Sequence, residues 1–595
     1  MKKIVSFIAF LLMLLPVVAQ VIPVTRRVNW ERIVRQDVYR EPEKMMNVVD
    51  FGAVADGETD NTEAVRAAMA SFHGGAGTVF FPEGTYLFFH SLVLPDSIQL
   101  KGEGALRTVL RFDLGNSAAS CLRITGSASK VFVHLKSGFA KGSTKLVADS
   151  AFVFEPGEWV EMVEDNGSWN TVPAEWAKMS VGQIVRIEKV AGDTLVLEQP
   201  LRISYTDSLR PRLRRIFPIR HVSVACLKIV RTRPPDAGGG YNISWDYAVD
   251  GRVSGVESDS SSGSHIYISR SAGIVVEGSY FHHAFFYDGA STHGYGVTLA
   301  HHSSGCLVMN NIFVHLRHAL MVKTGANGNV VAYNYSRDPH RSEAISDLSG
   351  DISLHGHYAF ANLFEGNIVQ NIIIDHYWGP SGPYNTFFRN RAELWGIIMT
   401  QSDTTETADQ NFVGNECTDN SFYHGQFVLY GKGHFVYANN VLGHLVPASS
   451  GDLPDRSYYL TQKPAFWDVD AGWPDMGWPF SLGEGSIPAR KRFDTGKGLT
   501  VCPGAAVAVE TFSREANGWY IGPNPVRNVL HVVSPLKGAE RFSLRFFSLD
   551  GRLLLVKHFS GRKARCFLQK ELPSGIYLLE IHWGNSRLIK KMVVL

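Results

Sequence analysis

The sequence predicts an all-β protein whose main body is a parallel β-helix and whose last part is a separate antiparallel β-sandwich. The 595 residues exceed one ordinary domain, and an apolar fraction of 45% is enough for a large core. A short polar residue, usually Asn, follows short apolar strands many times, and this repeat indicates coils that stack on one another. The 56 glycines suit a fold with many tight turns.

The repeat is clearest between residues 275 and 443, where segments such as VMNNIFV, FEGNIVQ and FFRNRAE align. An Asn at a sharp turn can satisfy backbone groups, adopt a left-handed conformation and stack into an amide ladder. We therefore expect these side chains to form one structural column on successive coils. The column is predicted to contain Ser279, Asn311, Asn334, Asn367, Asn390, Asn415 and Asn440.

The beginning of the chain predicts a secretory signal over residues 1–19. Lys2 and Lys3 precede an apolar run, and small residues form a cleavage site before Gln20. The rest of the chain has no uninterrupted apolar run of 18 residues. We therefore expect no transmembrane segment in the mature chain.

Charge and cysteine spacing argue against two classes of site. From Asn517 to the end the chain has 13 Lys and Arg but 4 Asp and Glu, whereas the whole chain has a net charge of +2. The body is therefore acidic, and we expect no nucleic-acid partner, because binding to phosphates needs Lys and Arg. The six cysteines are scattered without a CxxC pair, so neither a disulfide framework nor a zinc site is expected.

A family motif occupies residues 47–112, which read NVVDFGAVADGETDNTEAVRAAM and then GTVFFPEGTYLF. This segment resembles the N-terminal part of the pectate-lyase-like superfamily, in the form found in rhamnogalacturonases and epimerases. The resemblance implies a right-handed parallel β-helix, here over residues 47–500, with a short helix after Asp60 that covers the open end of the first coil. Residues 137–206 alternate like antiparallel hairpins and predict a small β insertion.

The last segment, residues 517–595, contains alternating strands with DG and SG turns, which predict a small antiparallel sandwich. Its pieces Pro523-Asn524-Pro525, Asp550-Gly551 and Ser574-Gly575-Ile576-Tyr577 resemble the C-terminal sorting domain of the type IX secretion system of Bacteroidetes. The resemblance implies export through the periplasm and across the outer membrane, with the secretion machinery as a partner. The protein is then secreted or held at the cell surface. A carbohydrate-binding sandwich is the alternative.

Polar side chains at the ends of the repeat strands form a rough column on successive coils. Half of the 22 histidines lie between His282 and His376. Acids, bases and cations in such a row suit a polysaccharide that lies along the coils, and aromatic rings can stack on its sugar faces. The predicted catalytic residues are Lys323, His355, His357, Asp375 and Arg389. The predicted substrate-binding residues are His301, Arg317, His318, His376, Trp378, Tyr384, Arg391 and Trp395.

Three functions fit these residues. A lyase neutralises a uronate carboxylate, removes the C5 proton and protonates the leaving oxygen, for which Lys, Arg, His and Tyr are suited. A glycoside hydrolase needs two carboxyl groups about 5–10 Å apart. Asp347, Asp351, Asp375 and Glu393 are the candidates for that pair. A non-catalytic glycan-binding surface protein needs neither set. Cations and imidazoles outnumber acids in the column, which favours β-elimination of a uronate-containing glycan.

A metal site is a further hypothesis. His355 and His357 are spaced to share one face of a strand, and Asp375 follows one coil later. Together they form a candidate set of ligands. A divalent cation such as Ca²⁺ would also neutralise a uronate carboxylate, although the sequence specifies no cofactor.

Overall fold

The computed structural model of the chain divides into two units, residues 1–502 and 503–595, which are treated separately. The residues described are 20–33, 39–236, 239–289, 293–340, 350–402, 404, 406–468, 471–502, 513–514, 519–522, 529–533, 541–548, 551–560, 563–568, 572–573, 575–583 and 586–594. The predicted signal, the Pro523–Pro525 motif, Asp347, Asp550 and Ser574 lie outside them. None of the helices in these ranges is long and apolar enough to cross a membrane.

The first unit is a parallel β-helix, as predicted. Its coils contribute strands to a 12-stranded sheet, here named face A, and to a 21-stranded sheet whose two series of paired strands are here named faces B and C. Face A contains Met45–Asn47, Gly77–Phe81, Ile98–Gly102, Ser223–Ala225, Arg252–Ser254, Val275–Glu277, Leu307–Met309, Val330–Ala332, Leu363–Glu365, Thr386–Phe388, Asn411–Val413 and Phe435–Tyr437. Neighbouring strands pair in parallel without slippage along this face.

Faces B and C lie next to each other and merge in two late strands. Face B contains Asp56–Asp60, Gly84–Phe88, Thr108–Phe112, Lys228–Arg231, Glu257–Ser261, Tyr280–Ala284, Ile312–Leu316, Tyr335–Pro339, Glu416–Cys417 and Asn439–Val441. Face C contains Leu92–Val93, Leu122–Thr125, Ile243–Asp246, Ser264–Ser269, Tyr295–Ala300, His318–Val322, Ile352–His355 and Gln426–Val428. Ile368–Asp375 and Arg391–Met399 run through both faces.

The interior of the coils is apolar because alternate residues of each short strand point inward. Phe364, Phe387 and Phe412 stack in consecutive coils, with ring centroids 4.8 and 5.0 Å apart. The helix Thr62–Ala70 closes the first coil and buries Val65, Ala68 and Met69. Asp60 Oδ1 accepts the Thr62 N–H at 3.1 Å, so the residue expected before the helix does bind its first turn.

An asparagine ladder occupies the corner between faces A and B. Asn334 Nδ2 donates to Asn367 Oδ1 at 3.0 Å, and Asn415 Nδ2 donates to Asn439 Oδ1 at 2.8 Å. The last member is therefore Asn439 and not Asn440 as predicted, because Glu416 pairs with Asn440 and leaves Asn439 opposite Asn415. The rest of the predicted column is confirmed by bonds that join Ser279, Asn311, Asn334, Asn367, Asn390 and Asn415.

The insertion is larger than residues 137–206. Seven antiparallel strands form it: Ser127–Ala128, Val133–Ser137, Lys145–Ala148, Trp159–Val163, Gly182–Ala191, Thr194–Leu197 and Arg212–Phe217. The 3-10 helices Ala151–Val153, Glu175–Ala177 and Asp207–Leu209 connect them. The insertion packs on the corner between faces C and A, where His302 Nδ1 lies 2.7 Å from Glu161 Oε1 and Asn327 Nδ2 donates to Gly182 O. It therefore forms a wall along one side of face C.

The parallel coils end at Val441 and not near residue 500 as predicted. His444–Val446 pairs antiparallel with the last strand, and residues 447–468 and 471–502, here called the strap, cover the outside of face A. The strap includes the helix Pro488–Thr495 and ends in a disulfide between Cys226 and Cys502. The cysteine spacing predicted no disulfide framework, and it did not predict this single bond. Among the described residues, Cys121, Cys306 and Cys417 are free and buried, and Cys566 is buried as well.

The first described residues also cover face A. They include the 3-10 helix Val24–Arg26 and the helix Trp30–Ile33. A second 3-10 helix, Val48–Phe51, directly follows the first strand of face A. Trp30 is buried and its Nε1–H donates to Ala361 O at 2.8 Å. The Val21 N–H donates to Asp455 Oδ2 at 2.9 Å. With face A and the C–A corner covered, faces B and C are the open sides of the coils.

The second unit is built from two four-stranded antiparallel sheets. One contains Ser513–Arg514, Tyr520–Gly522, Val529–Val533 and Lys563–Phe567, and the other contains Leu553–Ser560, Arg541–Phe547, Gly575–Trp583 and Ser586–Val594. Trp519, Leu530, Phe542 and Leu544 belong to one shared core. This arrangement is the small sandwich that the strand pattern predicts.

Candidate functional site

Lys323, His355 and Asp375 lie side by side on the outer side of face C. The pairing of Val322 with Leu354 places Lys323 beside His355, and His355 pairs directly with Asp375. The preceding residues Val322, Leu354 and Ile374 point into the core, so the next residue on each strand points outward. Adjacent strands are about 4.8 Å apart, so three neighbouring positions span about 10 Å, roughly two sugar units. We call these three residues the face-C row.

His355 and Asp375 form a charged hydrogen bond. His355 Nδ1 donates to Asp375 Oδ2 at 2.6 Å, and the Tyr377 N–H donates to Asp375 Oδ1 at 3.1 Å. Burial opposes ionisation of Asp375, but His355 and Tyr377 outweigh it and hold the pKa of this carboxyl below its usual value. In the neutral imidazole with its hydrogen on Nδ1, Nε2 of His355 has a lone pair. That nitrogen can accept a proton.

Lys323 is a cation without an anion. Nζ has no hydrogen-bond or ion-pair partner among the described residues, and it lies 5.9 Å from the centroid of the Trp176 ring. Burial lowers the pKa of Lys323 to about 8. An ammonium group held in this way can be stabilised further by an incoming anion, such as the carboxylate of a uronate sugar.

Aromatic side chains border the row on the side of the insertion. Trp176 lies edge-on to Trp378, with ring centroids 5.2 Å apart, and Trp378 lies 5.1 Å from Tyr377. Trp176 is 45% exposed and Tyr377 is 66% exposed. The sequence predicted Trp378 but missed Tyr377 and Trp176. Trp176 comes from the 3-10 helix Glu175–Ala177 of the insertion. These exposed rings offer flat surfaces on which sugar rings can stack.

The predicted position of His357 is wrong. The strand ends at His355, and Gly356 and His357 adopt positive φ angles of 67° and 48°, so alternation along a strand does not apply. His357 is fully buried under the insertion, where Nε2 donates to Val172 O at 3.1 Å. Among the described residues, the ligand atoms of His355, His357 and Asp375 do not converge as a metal site.

Two predicted histidines lie close to the row, one of them buried and the other half-buried. The His318 ring centroid is 6.4 Å from that of His355, and His318 Nδ1 donates to Gly350 O at 2.9 Å. His301 follows the face-C strand of the preceding coil and is half-buried. Burial lowers the pKa of each imidazole to about 3, with Arg317 and Arg270 as the largest nearby charges. Both imidazole rings are therefore uncharged at neutral pH and act as structural neighbours of the row.

Two predicted arginines lie far from the row and hold the strap. Arg389 is buried and donates to the carbonyl oxygens of Leu453, Asp455, Met476 and Trp478. Arg391 is buried in an ion pair with Glu416, at 2.6 Å. Both follow face A at the corner where the strap crosses and are buried there, so the structure does not bring Arg389, predicted as catalytic, or Arg391, predicted as substrate-binding, into the face-C row.

The other predicted binding residues are also dispersed. Arg317 lies at the corner between faces B and C and donates to Gly289 O. His376 is buried between Thr400 O and Thr407 Oγ1, at 2.7 and 2.9 Å. The Tyr384 ring lies beneath Lys141 Nζ at 3.6 Å, and Trp395 packs edge-on against His424. The structure therefore does not bring these four residues into the face-C row.

The carboxyl groups considered for hydrolysis do not pair on face C. Asp351 is buried and accepts from Ser336 Oγ and the Gln370 N–H. Glu393 is bound to Arg490. Asp375 is bound to His355, as described above. Among the described candidates, no second free carboxyl group faces Asp375 across the open face.

Two segments of the chain match family models. Residues 45–149 match the family described as Rhamnogalacturonase A/epimerase, pectate lyase-like. Residues 520–595 match the secretion system C-terminal sorting domain, which indicates export and a secreted or cell-surface location. Both resemblances seen in the sequence are confirmed by these matches.

The matches to individual proteins are local. The Mannuronan C5-epimerase AlgE1 of Azotobacter vinelandii is 31% identical over 110 residues, which are 17% of this chain and 8% of that protein. Alginate lyase 7 of Azotobacter vinelandii is 37% identical over 73 residues, 11% of this chain and 8% of that protein. The chain thus spans less than a tenth of either relative.

A solved structure of similar fold is the tailspike protein gp49 from Pseudomonas phage LKA1. Its TM-score is 0.48 at 17% identity, covering 63% of this chain and 64% of that one. The assignment of the fold here therefore rests on the strand pairing of the chain itself. By sequence, the chain is therefore similar to the Rhamnogalacturonase A/epimerase, pectate lyase-like family over residues 45–149 and to the secretion system C-terminal sorting domain over residues 520–595.

Proposed function

We propose that the chain removes the C5 proton of a uronate residue in a polysaccharide and so begins a β-elimination. The observation that carries this proposal is the face-C row, in which a base with a free nitrogen lies between its orienting carboxylate and an unpaired ammonium group. Polysaccharide lyases and epimerases both begin by breaking the C5–H bond, and the relatives named above are an epimerase and a lyase.

His355 is the proposed base. Nε2 takes the C5 proton, and the electrons of the C5–H bond move onto the sugar carboxylate. Asp375 holds the imidazole in the required tautomer and stabilises its protonated form. Lys323 lies beside the base and stabilises the enolate charge, which is larger in the transition state than in the bound substrate.

The second step breaks the C4–O bond. The enolate electrons form the C4–C5 double bond, and the leaving oxygen takes the bonding pair and a proton. The exposed phenol of Tyr377, whose ring lies 6.3 Å from that of His355, is the proposed donor of this proton. Trp176 and Trp378 would hold the neighbouring sugar by stacking on its apolar face.

Epimerisation at C5 is the second candidate, favoured by the local identity to AlgE1. It shares the first step, after which the enolate is protonated again from the opposite side of the ring and the chain of sugars stays intact. Elimination and epimerisation therefore differ in what happens to the enolate, and they share the base that forms it.

A screen of the mature protein on uronate-containing glycans tests the proposal. Elimination raises both the absorbance of unsaturated ends and the number of reducing ends. Hydrolysis raises reducing ends alone, and epimerisation raises neither but changes the C5 configuration of the polymer. A protein that only binds glycans changes none of these readouts, and that result or hydrolysis would overturn the proposal.

The residues are tested in the same assay. His355→Ala is expected to lower turnover by about a hundredfold or more while leaving the melting temperature close to that of the wild type. Asp375→Asn should lower turnover as well, because the imidazole loses the group that sets its tautomer. His315→Ala is the matched control, since His315 Nδ1 lies 2.6 Å from Asp338 Oδ2 in a similar pair on face B. Equal losses in His355→Ala and His315→Ala would contradict the assignment.

A further inference from the structure

A second cluster of imidazoles lies on the outer side of face B, separate from the face-C row. Asp259 pairs with His282 on the adjacent strand, so both side chains emerge on the same side of the sheet. His283 has a φ of 57°, and this turn brings the ring of the next residue to the same place. One ligand atom from each of Asp259, His282 and His283 lies within 4.8 Å of the other two.

The hydrogen bonds around His282 prepare one nitrogen as a ligand. His282 Nε2 lies 3.1 Å from Glu257 Oε1, and since a carboxylate only accepts, Nε2 carries the hydrogen. In the neutral imidazole Nδ1 then holds a lone pair, and it lies 2.8 Å from His283 Nδ1 and 3.7 Å from Asp259 Oδ1. A carboxylate that fixes the tautomer of a histidine in this way is a usual second partner of metal-binding imidazoles.

The spacing and the charge suit a small divalent transition metal. With bonds of about 2.0–2.1 Å, the ligand atoms of a tetrahedral site lie about 3.4 Å apart, close to the distances around His282 Nδ1. Lys228 Nζ lies 2.8 Å from Glu257 Oε1 and 3.0 Å from Asp259 Oδ2, so two carboxylates share one cation. The surplus negative charge favours a further cation.

We propose that Asp259, His282 and His283 bind one Zn²⁺-class ion, with a fourth position open to water or to a hydroxyl or carboxylate oxygen. His283 is exposed, whereas His282 is buried on the side of Glu257, so the open position faces solvent. The site uses none of the residues assigned to proton transfer. Its occupancy is therefore independent of the proposed reaction.

Metal binding by the full mature protein tests the site directly. The protein is freed of metal with a chelator and titrated with Co²⁺, whose visible absorption reports a four-coordinate site, and then with Zn²⁺ in competition. One ion per chain is expected. Asp259→Asn, His282→Ala and His283→Ala should each weaken Zn²⁺ binding by at least about tenfold, with circular dichroism spectra like that of the wild type.

Two further variants are expected not to weaken Zn²⁺ binding. Lys228→Met removes the competing ammonium group and is expected to strengthen Zn²⁺ binding. His424→Ala is the matched control, because His424 Nδ1 lies 2.7 Å from Asp419 Oδ2 without a second imidazole ligand, and it should leave binding unchanged. Wild-type stoichiometry and affinity in all three ligand variants, or an equal loss in His424→Ala, would overturn the proposal.

Discussion

Replacing Asn439 or Asn440 by Ala tests which of these two neighbouring asparagines belongs to the ladder. Asn439 Oδ1 accepts from the Asn415 N–H and from Asn415 Nδ2, at 3.0 and 2.8 Å, and Asn439 Nδ2 donates to Phe412 O at 3.0 Å. Asn440 Oδ1 accepts one bond, from the Gly443 N–H at 3.1 Å. Asn439 is fully buried, whereas Gly443 is exposed.

The magnitudes follow from the groups left without partners. Asn439→Ala removes the acceptor of two Asn415 donors and the donor to two carbonyl oxygens, those of Phe412 and Val446. Each unsatisfied buried group costs about 1–3 kcal/mol, and because this is the last coil, where water can enter, we expect a loss of about 3–6 kcal/mol. Asn440→Ala frees an N–H that solvent can reach, so we expect a loss of about 1 kcal/mol.

Urea unfolding of the full mature chain, followed by intrinsic fluorescence, measures both variants against the wild type. The transition of the β-helix should shift to a lower urea midpoint in Asn439→Ala, with the slope unchanged, and should move little in Asn440→Ala. Limited proteolysis identifies which unit unfolds in that transition. Equal shifts, or a larger shift in Asn440→Ala, would refute the ladder that ends at Asn439.

Three further predictions concern charge and covalent closure. The rate of the proposed reaction should fall as pH rises through about 8, because burial lowers the pKa of Lys323 to about 8 and the ammonium group loses its charge above that pH. In Lys323→Arg this fall in rate should occur at higher pH. A fall at the same pH in the variant would exclude Lys323 as its origin. Glu416→Gln leaves Arg391 buried without its anion and should cost about 3–5 kcal/mol in urea unfolding, whereas a shift near zero would show that the pair is dispensable. Cys502→Ser removes a disulfide that joins residues 276 apart in sequence, so it should destabilise the body by roughly 5 kcal/mol. Protease should then cleave the strap first. Unchanged cleavage would contradict the role of this disulfide in holding the strap on the coils.

The repeat was predictable because one chemical requirement recurs at each turn. An amide that both donates and accepts can bond to the amide of the next coil, so Asn311, Asn334 and Asn367 identify the corner between faces A and B. The choice between Asn439 and Asn440 was not predictable in this way, since both are asparagines. The pairing of Glu416 with Asn440 decides it, and that pairing depends on the preceding coils.

The face-C row was predictable because Lys323, His355 and Asp375 occupy equivalent strand ends, and equivalent positions stack. His357 was misplaced because two successive positive φ angles end the alternation on which its prediction depended. Trp176 was missed for a different reason. It precedes the row by about 150 residues, and its place depends on how the insertion folds back on the coils.

The contact between the first described residues and the late coils constrains when the body can be completed. Trp30 packs against Ala361 and Tyr458, and Val21 binds Asp455, more than 400 residues further along the chain. A chain that emerges from its amino end therefore carries an uncovered tryptophan until the strap has also emerged. The first segment is among the last to fold, so nascent or partly exported chains expose an apolar stretch that finished molecules conceal.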